Sequence, residues 1–449
     1  MAAPPLMMQT TYAELVERCA STAFADAFPD GGTFTPKTIR GRRYWYYQQS
    51  TGEGRAQRYV GAETPELLER IAHHKEIRDD ERERRALVSA LVRSFGLPRP
   101  IPEIGDVVAT LAKAGVFRLR GVLVGTVAYQ TYSAMLGVRL PANALSTEDI
   151  DVAQFQNVSI AVKDEIPPVL DILKEINDSF RAVPYTSDSR RATSYVANRG
   201  LRVDFLTPNE GSDTDEPQPL PALRTDAQPL RFLDFLIHDP EQAVVLHGSG
   251  IHVYVPTPER YAIHKLIVSR RRRAGSAKSD KDFFQSEALI NVLAQKRAYE
   301  LKSVWEEAVR RGQTWRQYLM ESVIRLAPIA RDTLLKTVDW RREQVPNLTL
   351  GFESDAPRYL FDRDVVAFNG KDVAGRIRCE ISREALEDHF NADDLTKEGR
   401  VERFRENRSL IEQMASMKYQ SWPVEEPGVI LIRTGDVRKL RERVNDSVR

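Results

Sequence analysis

Residues 121–155 read GVLVGTVAYQTYSAMLGVRLPANALSTEDIDVAQF, and the fold turns on this stretch. An apolar run ends in Gly125-Thr126, a segment rich in Ala and Tyr follows, and two aspartates, Asp149 and Asp151, stand one residue apart. Side chains of a strand alternate between faces, so both carboxylates point one way while Ile150 and Val152 point into a core. Two hard oxygen ligands on one face suit Mg²⁺. The apolar run 117–124 before them predicts a strand buried on both faces.

Downstream, the pattern predicts a strand at 158–162, a helix at 167–177 and extended segments at 180–185, TSYVA and LRVDFLTP, the last two separated by the turn Asn198-Arg199-Gly200. Asp204 then sits inside a second strand, with Val203 and Phe205 facing the other way. Residues 211–229 are acidic and Pro-rich and read as a surface loop. Three carboxylates on neighbouring strands can hold two Mg²⁺ roughly 3.5 to 4 Å apart, the charge arrangement that nucleotidyl transfer from a triphosphate needs. Gly125 would let backbone amides approach phosphate, and the helix starting at Thr126 would aim its positive end at the anion.

Gly125-Thr126, Asp149-Ile150-Asp151 and Asp204 together resemble the polymerase-beta-like nucleotidyltransferase superfamily: a Gly followed by a small residue, a helix, an Asp-x-Asp strand and a third acid on a later strand. Thr126 replaces the usual Ser, and the 23 residues between Gly125 and Asp149 exceed the common spacing, LGVRLPANALS reading as an insertion. PTPERYAIHKLIVSRRRR and KSDKDFF are similar to bacterial nucleotidyltransferases related to abortive-infection and toxin-antitoxin enzymes. That resemblance implies that Lys265 reaches the nucleotide phosphates and that Lys281 and Asp282 line the site. It also implies an NTP substrate, ATP among the choices. Residues 349–437 resemble a small bacterial domain family of unknown function, which brings no activity with it.

The fold class expected is α/β (α+β), with a mixed nucleotidyltransferase sheet at 101–255. An N-terminal hairpin and long helix occupy 1–100, helices 256–345, and a small α+β domain 346–449. Within 37–61, two strands flank a Gly-rich turn, and Lys37, Arg40, Arg42, Arg43, Arg55 and Arg58 interleave with Tyr44, Trp45, Tyr46, Tyr47 and Tyr59. That composition suits RNA, and it equally suits a hairpin with one packed and one solvated face. A single helix is expected over 64–95, its charged centre a solvated connector with His73 and His74 at the surface. The Arg270–Arg273 run could contact an RNA backbone or complement a helix C-terminus. Arg190 and Arg191 are further candidates for phosphate.

Lys+Arg 65 against Asp+Glu 64 excludes a global field toward nucleic acid or membrane. Two cysteines, Cys19 and Cys379, exclude a disulfide framework and favour a reducing cytoplasm. No apolar run spans a bilayer, the histidines lack zinc-ligand spacing, and no Walker loop or Gly-x-Ser-x-Gly elbow occurs. Two functions remain: Mg²⁺-dependent transfer of a nucleoside monophosphate to a hydroxyl of RNA, protein or a small molecule, and a catalytically silent nucleotide- or RNA-binding protein of the same fold.

Overall fold

The computed structural model of the protein describes residues 6–28, 32–39, 41–51, 54–73, 81–141, 145, 147–162, 164–209, 211–271, 277–340, 350–353, 355–372, 375–392, 396–420 and 429–439. Pro29, Asp30, Gly31, Arg40, Gly52, Glu53, His74, Arg272 and Arg273 lie outside them. The chain is a mixed α/β protein that divides into two units, Met1–Tyr261 and Ala262–Arg449.

The first unit is built on a sheet in which β4 (Val122–Val124) pairs antiparallel with β5 (Asp149–Ala153), and β5 pairs parallel with β8 (Arg202–Pro208). The other edge of β8 is shared between β7 (Ala192–Val196), opposite Arg202–Asp204, and β10 (Thr225–Leu230), opposite Leu206–Pro208. β9 (Gln218–Leu220) and β6 (Arg181–Pro184) close the two branches. The alternation expected of β5 and β8 is present: Ile150, Val152, Val203 and Phe205 are fully buried, while Asp149, Asp151 and Asp204 are half-buried.

Three expectations are corrected. The strand at 117–124 shortens to β4, because Val116–Gly121 wind into turns closed by Arg120 N–H to Phe117 O at 3.1 Å and Gly121 N–H to Val116 O at 2.9 Å. Residues 158–162 belong to a helix, α6 (Gln156–Ala161), in which Ser159 is buried and Ile160 is 60% exposed. A short apolar run does not by itself tell strand from helix. The loop at 211–229 contains β9 and β10, whose Leu220 and Ala227 are buried and whose backbone groups the sheet satisfies.

Upstream, α1 (Leu6–Ala27) precedes three strands, β1 (Thr33–Ile39), β2 (Arg42–Thr51) and β3 (Gly54–Ala62), one more than a hairpin. Pro36 is tolerated because β1 is an edge. The long helix is two described pieces, α2 (Pro65–His73) and α3 (Glu81–Ser89), the latter extended by a π turn over Ala90–Ser94. Tyr12, Leu15 and Cys19 of α1 share a core with Leu91, Ala134 and Val244, and the Tyr12 hydroxyl accepts from Val244 N–H at 3.1 Å. Tyr46, Tyr47 and Tyr59 are buried, Tyr47 against Phe24 and Phe28, so the packed face of this sheet consumes rings that base stacking would need. Arg118 ties β3 down, donating to Asp164 Oδ2 at 2.6 Å and to the Tyr59 carbonyl at 3.0 Å.

α4 (Pro102–Ala114), α5 (Gly125–Met135), α7 (Val169–Lys174) and α8 (Leu233–Leu236), with the ribbon β11 (Glu241–Val245) and β12 (Ile251–Val255), complete this unit. α9 (Pro258–Arg271) begins in it.

In the second unit α10 (Ala277–Lys296), α11 (Ala298–Arg310), α12 (Gln313–Arg325) and α13 (Pro328–Thr337) precede a sheet ordered β13 (Gly351–Phe352), β15 (Val365–Asp372), β16 (Gly375–Ser382), β17 (Val429–Ile432), with β14 (Arg358–Leu360) also on β15. Pro328 opens α13 and separates it from α12. α14 (Arg383–Phe390), α15 (Lys397–Glu406) and α16 (Arg408–Gln420) complete it. Arg331 of α13 is fully buried and donates to the Tyr419 hydroxyl of α16 at 2.6 Å. Cys379 is buried in β16, and desolvation pushes its thiol up to about 12, as expected of a packed residue. No helix among the described residues is long and apolar enough to cross a membrane.

His252 on β12 donates from Nε2 to Gln242 Oε1 at 3.2 Å, and burial, with Arg70 nearby, holds its imidazole down to about 4. The unfolded chain takes up this proton near pH 6.5 and the folded chain near pH 4, so stability falls as pH drops through that window. Urea midpoints at pH 7 and pH 5 should therefore drop more for the wild type than for His252→Gln. An equal drop in both would remove His252 as a contributor.

Candidate functional site

The site grows from strand register. Asp151 stands opposite Asp204 and Asp149 opposite Arg202 across the parallel β5–β8 pair, so these four side chains share one face of the sheet. Val124, the last residue of β4, pairs with Asp151 from the other side and delivers Gly125 to the same spot. Gly125 has φ +68°, and a Cβ there would lie 2.1 Å from Asp151 Oδ2. Glycine is therefore required twice, by backbone conformation and by the carboxylate against it. α5 begins at Gly125, with Thr126 buried in its first turn. The Gly125 carbonyl accepts from the Tyr261 hydroxyl at 3.0 Å, and the rings of Tyr129, Tyr132 and Tyr261 pack edge to face around this start.

Sequence reasoning missed two participants. Arg202 Nε donates to both Asp204 oxygens, at 2.8 and 2.9 Å, and its Nη2 donates to Ser194 Oγ at 2.9 Å. Ser194, opposite Asp204 on β7, hydrogen-bonds Asp204 Oδ1. The guanidinium is raised above its ordinary pKa by Asp204 first, and also by Asp149 and Asp151. One arginine is thus the counter-ion of three carboxylates. The signal was present: Arg202 lies two residues before Asp204, hence on its face.

Lys265 donates to Asp282 Oδ1 at 2.6 Å in the second unit, with side-chain exposures of 13% and 3%; Lys281 is half-buried one residue before Asp282. Arg190 chelates Asp188, whose carboxyl it holds down to about 2, and Arg191 pairs with Asp226 at 2.9 Å. Arg270 Nε donates to Glu321 on α12 at 2.7 Å. Among the described residues no group of three or more His, Cys, Asp or Glu side chains is disposed to hold a metal ion.

Residues 102–310 match the model of a family described as nucleotidyltransferase, and residues 350–432 that of a protein of unknown function (DUF1488). The first match supports a transferase that moves a nucleotidyl group from an NTP; the second agrees with the C-terminal resemblance and adds no activity. A solved structure of an antigenic nucleotidyltransferase-like protein from Paracoccidioides brasiliensis is similar at 15% identity and TM-score 0.25, over 49% of this chain and 94% of that one. No curated protein matches the chain.

Gly125→Ala should cost about 1–3 kcal/mol from positive φ and the displaced carboxylate. That lowers the melting midpoint by about 2–4 °C per kcal/mol. Gly211→Ala, at φ +88° with open space around it, supplies the backbone cost alone. Equal melting losses would mean that Asp151 does not press on residue 125.

Proposed function

We propose that the first unit transfers a nucleoside monophosphate from an NTP to an acceptor hydroxyl at the face shared by Asp149, Asp151 and Asp204, with Mg²⁺ as cofactor. The observation that carries this reading is the register of β5 on β8 with Gly125 against Asp151. Three hard carboxylates on one face are the donor type Mg²⁺ takes, and with Arg202 held on Asp204 they do not converge as a metal-ligand group among the described residues, so Arg202 must give way to the ion. Asp149, Asp151 and Asp204 would hold the metal, which when bound neutralises the triphosphate and lowers the acceptor's pKa.

The chain's own residues do the rest. Gly125 and the first amides of α5 present positive backbone dipole to phosphate, and the missing side chain lets the Asp151 carboxylate lie against them. Arg202 gathers the like-charged carboxylates and orients Asp204. The acceptor oxygen bonds to the α-phosphorus, the bond to the bridging oxygen breaks, and pyrophosphate leaves. The acceptor proton passes to a carboxylate oxygen of Asp204, which Arg202 must first yield in part. RNA, protein and small-molecule acceptors all satisfy this chemistry. Cellular RNA is the first acceptor to test.

The bidentate hold of Arg202 on Asp204 favours a second reading, a protein that binds nucleotide without turning it over. Labelled NTPs incubated with Mg²⁺ and total cell RNA or lysate separate the two. Incorporation should be seen, should vanish with EDTA, and should fall about a hundredfold or more in Asp151→Asn. Nucleotide binding by calorimetry with no pyrophosphate released would establish the silent reading instead.

A further inference from the structure

A partly open cleft of about 1040 Å³ lies in the first unit, walled by α1, β3, α2, α3, α4, the turn before β4, and β12. Its lining carries seven Lys and Arg against three Glu, in a chain whose basic and acidic residues are otherwise balanced at 65 and 64. That bias is local and far exceeds the chain average.

The cations come from separate elements. Arg58 on β3 and Lys113 in the last turn of α4 are exposed; Arg120 precedes β4; Arg70 stands on α2. Two features suggest that the cleft is built for an anion rather than left by loose packing. Arg120 holds φ +71°, a left-handed conformation costly for a residue with a side chain, and hydrogen-bonds Tyr59, whose strand neighbours Arg58 and Val60 line the cleft. The Arg70 guanidinium, on the cleft wall, meets Glu17 only at 3.7 Å, beyond hydrogen-bond length.

We propose that this cleft binds a single strand of nucleic acid through its phosphates. Cations distributed over several walls of so large a cleft match a row of phosphates, whereas one small anion would need them to converge on a point. Arginine forks match phosphate oxygens bidentately. Grip through the backbone also explains why burial of Tyr46, Tyr47 and Tyr59 is no obstacle: the strand is held by charge, without ring stacking. The site uses none of Asp149, Asp151 or Asp204 and stands whether or not transfer occurs there.

The test is fluorescence anisotropy of a labelled 20-nucleotide oligouridine with the full chain, in EDTA and without NTP, so that failure of transfer and failure of binding are read separately. Wild type should bind with a steep salt dependence. Arg58→Gln/Lys113→Gln, both exposed and checked for an unchanged melting midpoint, should bind roughly tenfold more weakly and lose about two from the log–log salt slope. Unchanged affinity in the double variant overturns the proposal. So does equal competition by poly-L-glutamate, which would assign the cleft to an acidic polypeptide, or full displacement by millimolar pyrophosphate, which would assign it to a small phosphate.

Discussion

The first unit depends on a repulsion that its fold creates and then answers. Pairing β5 parallel to β8 with Asp151 opposite Asp204 puts two carboxylates on adjacent strands and a third two residues away. Like charges at such spacing oppose the pairing that brings them together. Arg202, placed by the same register opposite Asp149, supplies the compensating charge, and Ser194 a hydroxyl. Such a cluster held by one half-exposed guanidinium suits a site whose charge is meant to be rebalanced by a ligand. A purely structural core could bury apolar residues here at less cost.

How far this was readable from residues follows from where the information is local. Two-residue alternation in DIDVA and RVDFLTP is a local property that puts Asp149 and Asp151 on one side of their strand and Asp204 opposite Val203 and Phe205 on another, whereas their sharing one sheet face comes from the β5–β8 register. Gly125 was also readable as a glycine with a purpose. The reason was different: beyond phosphate access, its missing Cβ makes room for Asp151, which only the fold reveals. Arg202 obeys the same alternation, but that it meets Ser194 as well as Asp204 depends on the β7–β8 register, which no local pattern carries. The segments misread, 117–121, 158–162 and 211–229, are those whose state is decided by distant partners: β8 recruits β10 out of a Pro-rich stretch, and Ala222 N–H seeks the Ser159 hydroxyl on α6.

The N-terminal extension shows a different limit. Its Tyr/Arg interleaving was compatible with nucleic acid or with a packed sheet, and burial of Tyr46, Tyr47 and Tyr59 decides for packing. The arginines are not thereby spent, since a strand's alternate residues serve opposite faces. Arg58 and the cations of α2, α4 and the turn before β4 meet in one cleft only because α1 and β3 are docked, by the α1 core and by Arg118 on Asp164. Charge that is dispersed along the sequence, and invisible in a net of +1, becomes a local field after folding.

In the second unit the same accounting argues for restraint about Lys265. Its ammonium sits 2.6 Å from a carboxylate that is itself nearly inaccessible. Removing both charges from water is costly, and the pair is stable only as a pair. An ammonium so paired presents to any phosphate a charge already largely cancelled, unlike a lysine in solvent. Arg331 follows a related logic: buried whole, it donates to the Tyr419 hydroxyl and stacks 5.7 Å from that ring, so a helix and the C-terminal sheet domain share one desolvated cation. Truncating either partner would strand the other in a dry interior. The helices and the C-terminal domain are therefore bound to fold as one body, and whatever the latter does, it does from a fixed mounting on α13.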